Sequence, residues 1–127
     1  MTDVLFALGD VSLLEGELDE AAGMYLRAFR TARGLGHEKN LARGLRGLGI
    51  IASRQDCPEL GARRFGAANA LLEASSGKFA PFESIGYDDA VNAARATLGS
   101  QEFQRLWDEG RAVPIDRIED LLVPLSA

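Results

Sequence analysis

The chain has 127 residues, 46% of them hydrophobic and 26% charged, enough for one modest core. Its longest apolar runs, such as that around Ile50, Ile51 and Ala52, fall far short of the roughly 20 residues that cross a bilayer. A net charge of -5 disfavours a general surface for nucleic acid or anionic membrane, which is bound through an excess of Lys and Arg.

Leu5, Leu8, Val11, Ser12 and Glu15 follow helical spacing, and Gly16 stops that first helix by tolerating positive φ. Asp19 stands where an N-cap belongs. Ala21, Ala22, Tyr25, Ala28, Phe29 and Ala32 then form one stripe that ends at Gly34 and Gly36, which completes a first hairpin over 1–36. Glu38 or Asn40 opens a third helix with Leu41, Leu45, Leu48, Ile51 and Ala52 on one side. That helix closes before Asp56-Cys57-Pro58, and Pro58 suits the first turn of the fourth. Leu60, Ala62, Phe65, Ala68, Leu71 and Leu72 complete a second hairpin over 37–76.

The segment 77–84 has no helical period and is expected to be a loop, with Phe79 and Phe82 folding back over the second hairpin. A carboxy-terminal cap of three helices is expected over 85–127. Tyr87, Val91, Ala94 and Leu98 define the first of these, stopped by Gly99. Ser100 caps the second, where Phe103, Leu106 and Trp107 are expected to pack on the fifth helix and Gly110 marks the end. Pro114 opens a short seventh with Ile115, Ile118, Leu121 and Leu122, and Pro124 prevents its continuation. No strand is expected, so the chain reads as all-α and as one domain.

The two hairpins nearly repeat at a spacing of 40 residues. Leu5, Leu8, Gly9, Ala22, Tyr25 and Ala28 return as Leu45, Leu48, Gly49, Ala62, Phe65 and Ala68. A period of that length in an Ala- and Leu-rich chain indicates stacked helical hairpins, since one hairpin cannot bury its own apolar face. The small positions (Gly9, Ala21 and Ala28, then Gly49, Gly61 and Ala68) and the large ones between them resemble the tetratricopeptide pattern. That resemblance implies a right-handed α-α superhelix with a concave groove. The first helix of each unit departs from the pattern, with Ser12 or Ala52 at its usual large aromatic, and Arg33 or Glu73 replaces the usual closing proline.

A second resemblance covers the carboxy-terminal half. The run Ala62-Arg63-Arg64-Phe65-Gly66-Ala67-Ala68, with Tyr87-Asp88-Asp89-Ala90-Val91, Ala94 to Gly99, Phe103, Trp107 and Glu109 to Ala112, is similar to the tail of large bacterial signal-transduction ATPase regulators. It implies a sensor or partner-binding tail in transcriptional regulation. No Gly-rich phosphate loop with Lys and Ser/Thr occurs here, so the ATPase activity is not carried over.

Arg43, Arg46 and Arg54 on the third helix occupy positions that face the groove in tetratricopeptide units, where guanidinium forks hold a carboxylate or an acidic peptide. Phe6 and Asp10 stand opposite on the first helix. These five are the candidate site, weighed against a plain solvated helix face.

His37 with Glu38 cannot complete a zinc site, and the single cysteine, Cys57, allows no intrachain disulfide. Asp88-Asp89 and Asp108-Glu109 are adjacent pairs that point about 100 degrees apart on a helix and read as solubilising surface. Arg63-Arg64-Phe65-Gly66 resembles the turn of a helix-turn-helix reader, but 67–76 holds no base, so direct nucleic-acid contact is not expected.

The sequence therefore leads to a non-catalytic interaction module without cofactor, binding a protein or peptide through the groove. With no signal-like start in Met1-Thr2-Asp3-Val4, a cytoplasmic location is expected. Two repeats leave an open end near Val4, Leu5 and Phe6, so a homodimer is expected. The alternative is a small-molecule sensor with its pocket between the second hairpin and the cap, under Phe79 and Phe82.

Overall fold

In a computed structural model, residues 2–75, 77, 79 and 86–122 are described, Thr2 by its backbone alone. They form α1 (Thr2–Leu14), α2 (Leu18–Leu35), α3 (Glu38–Arg54), α4 (Pro58–Ala74), α5 (Tyr87–Leu98), α6 (Ser100–Arg111) and a 3-10 helix (Ile115–Leu121). The described residues include no strand, and the expected all-α architecture of two hairpins plus a helical cap is observed. No helix among them is long and apolar enough to cross a membrane. Phe82 and Pro124, and most of the loop over 77–84, lie outside the described residues.

The 40-residue repeat has a direct physical meaning in this fold. A Cβ on Gly9 would lie 3.0 Å from the Tyr25 ring, and one on Gly49 would lie 2.6 Å from the Phe65 ring. The same glycine-to-aromatic contact thus closes both hairpins, each aromatic lying on the bare backbone of the helix before it. Their turns repeat as well. After α1, Gly16 takes φ 79 and the Glu17 N–H donates to the Ser12 carbonyl at 2.9 Å; after α3, Asp56 takes φ 63 and the Cys57 N–H donates to Ala52 at 2.9 Å. Both share this 6→1 bond, the first completed as a Schellman closure by the Gly16 N–H to the Leu13 carbonyl at 3.1 Å, and Asp56 carries a side chain where the first repeat uses glycine.

Three boundaries differ from expectation. Glu17, not Asp19, is the N-cap residue of α2, and it makes no side-chain cap. The Schellman turn at Gly16 returns the chain to helix within two residues, so Asp19 falls in the first turn, where its charge still faces the helix dipole favourably. Ser100 is likewise the first residue of α6, because Gly99 at φ 85 supplies the N-cap and leaves no linker to cap with a side chain. Gly110 lies inside α6 rather than ending it, and the seventh helix is 3-10.

Gly110 continues the helix because its bare backbone is needed there. A Cβ on it would lie 1.9 Å from the Arg63 carbonyl oxygen, and one on Gly66 would lie 2.0 Å from that of Trp107. Helices α4 and α6 therefore cross backbone on backbone. Ion pairs flank the crossing, Arg63 with Glu109 at 3.1 Å and Arg111 with Glu73 at 2.7 Å. Glu109 is thus part of an inter-helix clamp as well as of the surface.

Helix α3 is the central element and packs on α1, α2, α4 and α5. Toward its carboxy-terminal half, Leu48, Ile50 and Ile51 join Leu5, Phe6, Tyr25, Phe65, Val91, Phe103 and Leu106 in one core cluster. Toward its start, Leu41, Ala42 and Leu45 join Phe29, Ala32, Ala68, Leu71, Ile118 and Leu121 in another, with Phe79 against it. Phe103 and Leu106 pack on α5 as expected.

Candidate functional site

The structure brings four of the five candidate residues together and fills the space between them. The Asp10 carboxylate accepts from the Tyr25 hydroxyl at 2.5 Å and from Arg43 Nη2 at 3.0 Å. The Arg43 guanidinium lies 4.7 Å over the ring of Phe6, itself fully buried. Arg46 is held between two rings, 3.4 Å from Tyr87 and 4.4 Å from Phe79. The void lined by Asp10, Tyr25, Arg43, Arg46, Gly47, Ile50 and Tyr87 measures about 10 Å³, room for about one water. Arg54 stands apart and donates to the Leu13 carbonyl at 3.2 Å.

Asp10, Tyr25 and Arg43 therefore bond to one another, partly exposed at Asp10, and line no open cleft. Burial, then the hydrogen bond to Asp10, holds the Tyr25 phenol above its ordinary range, and burial does the same to Tyr87. Both stay protonated in the folded chain well beyond neutral pH.

An open concavity lies between α2 and α4, over the carboxy-terminal half of α3. It is a groove of about 650 Å³ whose lining is mostly apolar, with Ala22 and Leu26 from α2, Leu48, Ile51 and Ala52 from α3, and Leu60 from α4. Asp19, Gln55, Cys57 and Leu122 stand around it. Gly23 contributes bare backbone to the wall, and a Cβ there would meet nothing within 4 Å.

Arg64 also lines this groove, and it is the functional candidate that the sequence reading missed. It is only 6% exposed. Its Nε donates to the Leu121 carbonyl at 2.6 Å and its Nη1 to the Leu48 carbonyl at 2.9 Å, tying α4 to the 3-10 helix and to α3. Burial pushes the guanidinium down to about 10, which leaves it charged at neutral pH. A signal was present in the sequence: Leu60, Ala68 and Leu71 lie four before, four after and seven after Arg64, which puts it on the buried stripe of α4.

Among the described residues no group of three or more His, Cys, Asp or Glu side chains is placed to hold a metal ion. No protein-family profile, curated protein or solved structure matches the chain.

Proposed function

We propose that the chain is a non-catalytic binding module of a regulatory system and receives its ligand in the groove between α2 and α4. The observation that carries this reading is a concavity of about 650 Å³ with a mostly apolar lining and, among the described residues, one buried cation, a size and composition suited to small ligands or short segments. The bonded set of Asp10, Tyr25 and Arg43, with Arg46 packed beside it between two rings, serves as structure on the opposite face of α3. The likeness of the repeat to tetratricopeptide units, and of the carboxy-terminal half to bacterial regulator tails, is the ground for placing the module in regulation.

A library of small molecules and short peptides, screened by thermal shift against wild type and Gly23→Phe, tests this. Ligands at a hundred times their dissociation constant stabilise by about 2.7 kcal/mol, several degrees in a chain of this size. Compounds that shift the wild type and not Gly23→Phe support the groove. If every active compound shifts both proteins equally, the groove is not the site.

A second reading concerns self-association. Helix α1 is apolar on both sides: Leu5, Phe6 and Leu13 are buried, while Val4, Leu8, Val11 and Leu14 are 47–66% exposed at spacings of four, three and three. This uncharged stripe is self-complementary, and a second α1 in antiparallel register would cover it, giving a homodimer. The expected open end is therefore Val4 with Leu8, Val11 and Leu14, since Leu5 and Phe6 are already covered.

A further inference from the structure

The geometry points to the ligand class: we propose that the groove binds a small organic monocarboxylate with an apolar body, its carboxylate on Arg64 and its hydrocarbon along Leu26, Leu48, Ile51 and Leu60. This rests on the groove reading and deepens it.

The ground is a buried charge without a carboxylate partner, beside which only the Cys57 thiol can carry the opposite sign. Both acceptors of Arg64 are neutral backbone carbonyls, and among the described residues no carboxylate pairs with it. Arg43, Arg63 and Arg111 each have a carboxylate within 3.1 Å. The most buried arginine of the four is thus the one without an anion, the reverse of what desolvation favours. A guanidinium offers five N–H donors, and one carbonyl contact each from Nε and Nη1 leaves the remaining donors for the groove that Arg64 lines. A carboxylate matches that planar fork with two oxygens.

The rest of the lining narrows the class. Among the described residues no second Lys or Arg lines the groove, and Asp19 stands at its rim, so a dianion such as a phosphate monoester would bring one charge too many. The apolar walls select a hydrocarbon body, which loses water contact when it enters. An uncharged molecule of the same body would leave Arg64 as it is.

The test is an NMR titration of the 15N-labelled full chain with octanoate and with octan-1-ol at neutral pH. Octanoate is expected to bind one to one, to perturb Gly23, Ile51, Leu60 and the Arg64 Nε–H, and to bind at least about tenfold tighter than octan-1-ol, the advantage of a charge-assisted bond. Gly23→Phe is expected to lose both ligands; its backbone position is open, so the fold is retained. Arg64→Met is expected to lose the preference for octanoate while still binding octan-1-ol. If that variant fails to fold, because two carbonyl bonds are lost, the wild-type comparison and Gly23→Phe decide the matter. Equal affinity for octanoate and octan-1-ol, or shifts that lie elsewhere, overturns the assignment of Arg64. A groove that takes octan-1-ol or a library peptide without preferring octanoate overturns this inference alone; a groove silent to every probe removes the binding-module reading with it.

Discussion

Substituting Gly66 by alanine tests the α4–α6 crossing with one methyl group. Its new Cβ would lie 2.0 Å from the Trp107 carbonyl oxygen, 2.8 Å from the carbonyl carbon and 3.1 Å from Cα. All three are backbone atoms of a packed helix, so no side chain can rotate away, and the helices must separate by about 1 Å to restore ordinary contact. Overpacking typically costs about 1–3 kcal/mol and more where the backbone must move. Separation also strains the Arg63–Glu109 and Arg111–Glu73 pairs that depend on the same approach.

Intrinsic propensity works in the other direction, favouring alanine over glycine by about 1 kcal/mol in a helix. Gly23→Ala has that gain without the clash, since nothing lies within 4 Å of its Cβ. Urea unfolding of the two variants is therefore expected to diverge in sign: Gly23→Ala up by about 0.5–1 kcal/mol, Gly66→Ala down by about 3 kcal/mol, a fall in midpoint of about 1–3 M. If Gly66→Ala matches wild type, α4 and α6 do not touch backbone to backbone and the cap sits elsewhere.

Asp56 holds φ 63 where the preceding repeat uses Gly16, so Asp56→Gly is expected to raise unfolding free energy by up to about 1 kcal/mol in the same assay. Asp10→Ala removes the acceptor of both Tyr25 and Arg43 and is expected to cost about 1.5–3 kcal/mol, measured by urea unfolding against wild type. Alkaline pH is expected to unfold the protein: with both tyrosines held above their ordinary range, the unfolded chain ionises near pH 10 while the folded one does not. Stability is therefore full below pH 10 and falls above it, and tyrosinate absorbance should rise together with loss of helical circular dichroism. Leu8→Glu/Val11→Glu, at positions 47% and 52% exposed, is expected to leave the fold intact and to shift light-scattering mass to the 13.6 kDa monomer from a larger wild-type species.

The hairpins were legible because the pattern that specifies them is local and repeats. Gly9 with Tyr25 and Gly49 with Phe65 are visible as a 40-residue echo, and the structure shows the same contact in both places. The cap was legible as helices, with Phe103 and Leu106 packing on α5, but its crossing with α4 was not. Gly110 read as a stop because glycine commonly follows a helix, whereas here it answers Gly66 across 44 residues, a pairing no local rule contains. The arginines of α3 looked like groove residues because the tetratricopeptide resemblance implies a groove on that face. That resemblance does not reveal that Asp10, Tyr25 and the rings of Phe6, Phe79 and Tyr87 close the space around Arg43 and Arg46. Arg64 was hidden for the converse reason: its neighbour Arg63 is partly exposed and ion-paired, and the doublet was weighed only as the turn of a helix-turn-helix reader, whereas burial separates the two.

Cys57 offers the most direct check of the groove, as the chain's single thiol and one of the residues that line it. Its alkylation rate by iodoacetamide, measured with and without saturating octanoate, is expected to fall several-fold in wild type and to stay constant in Gly23→Phe. An unchanged wild-type rate with octanoate bound would place the ligand outside the groove and contradict the account.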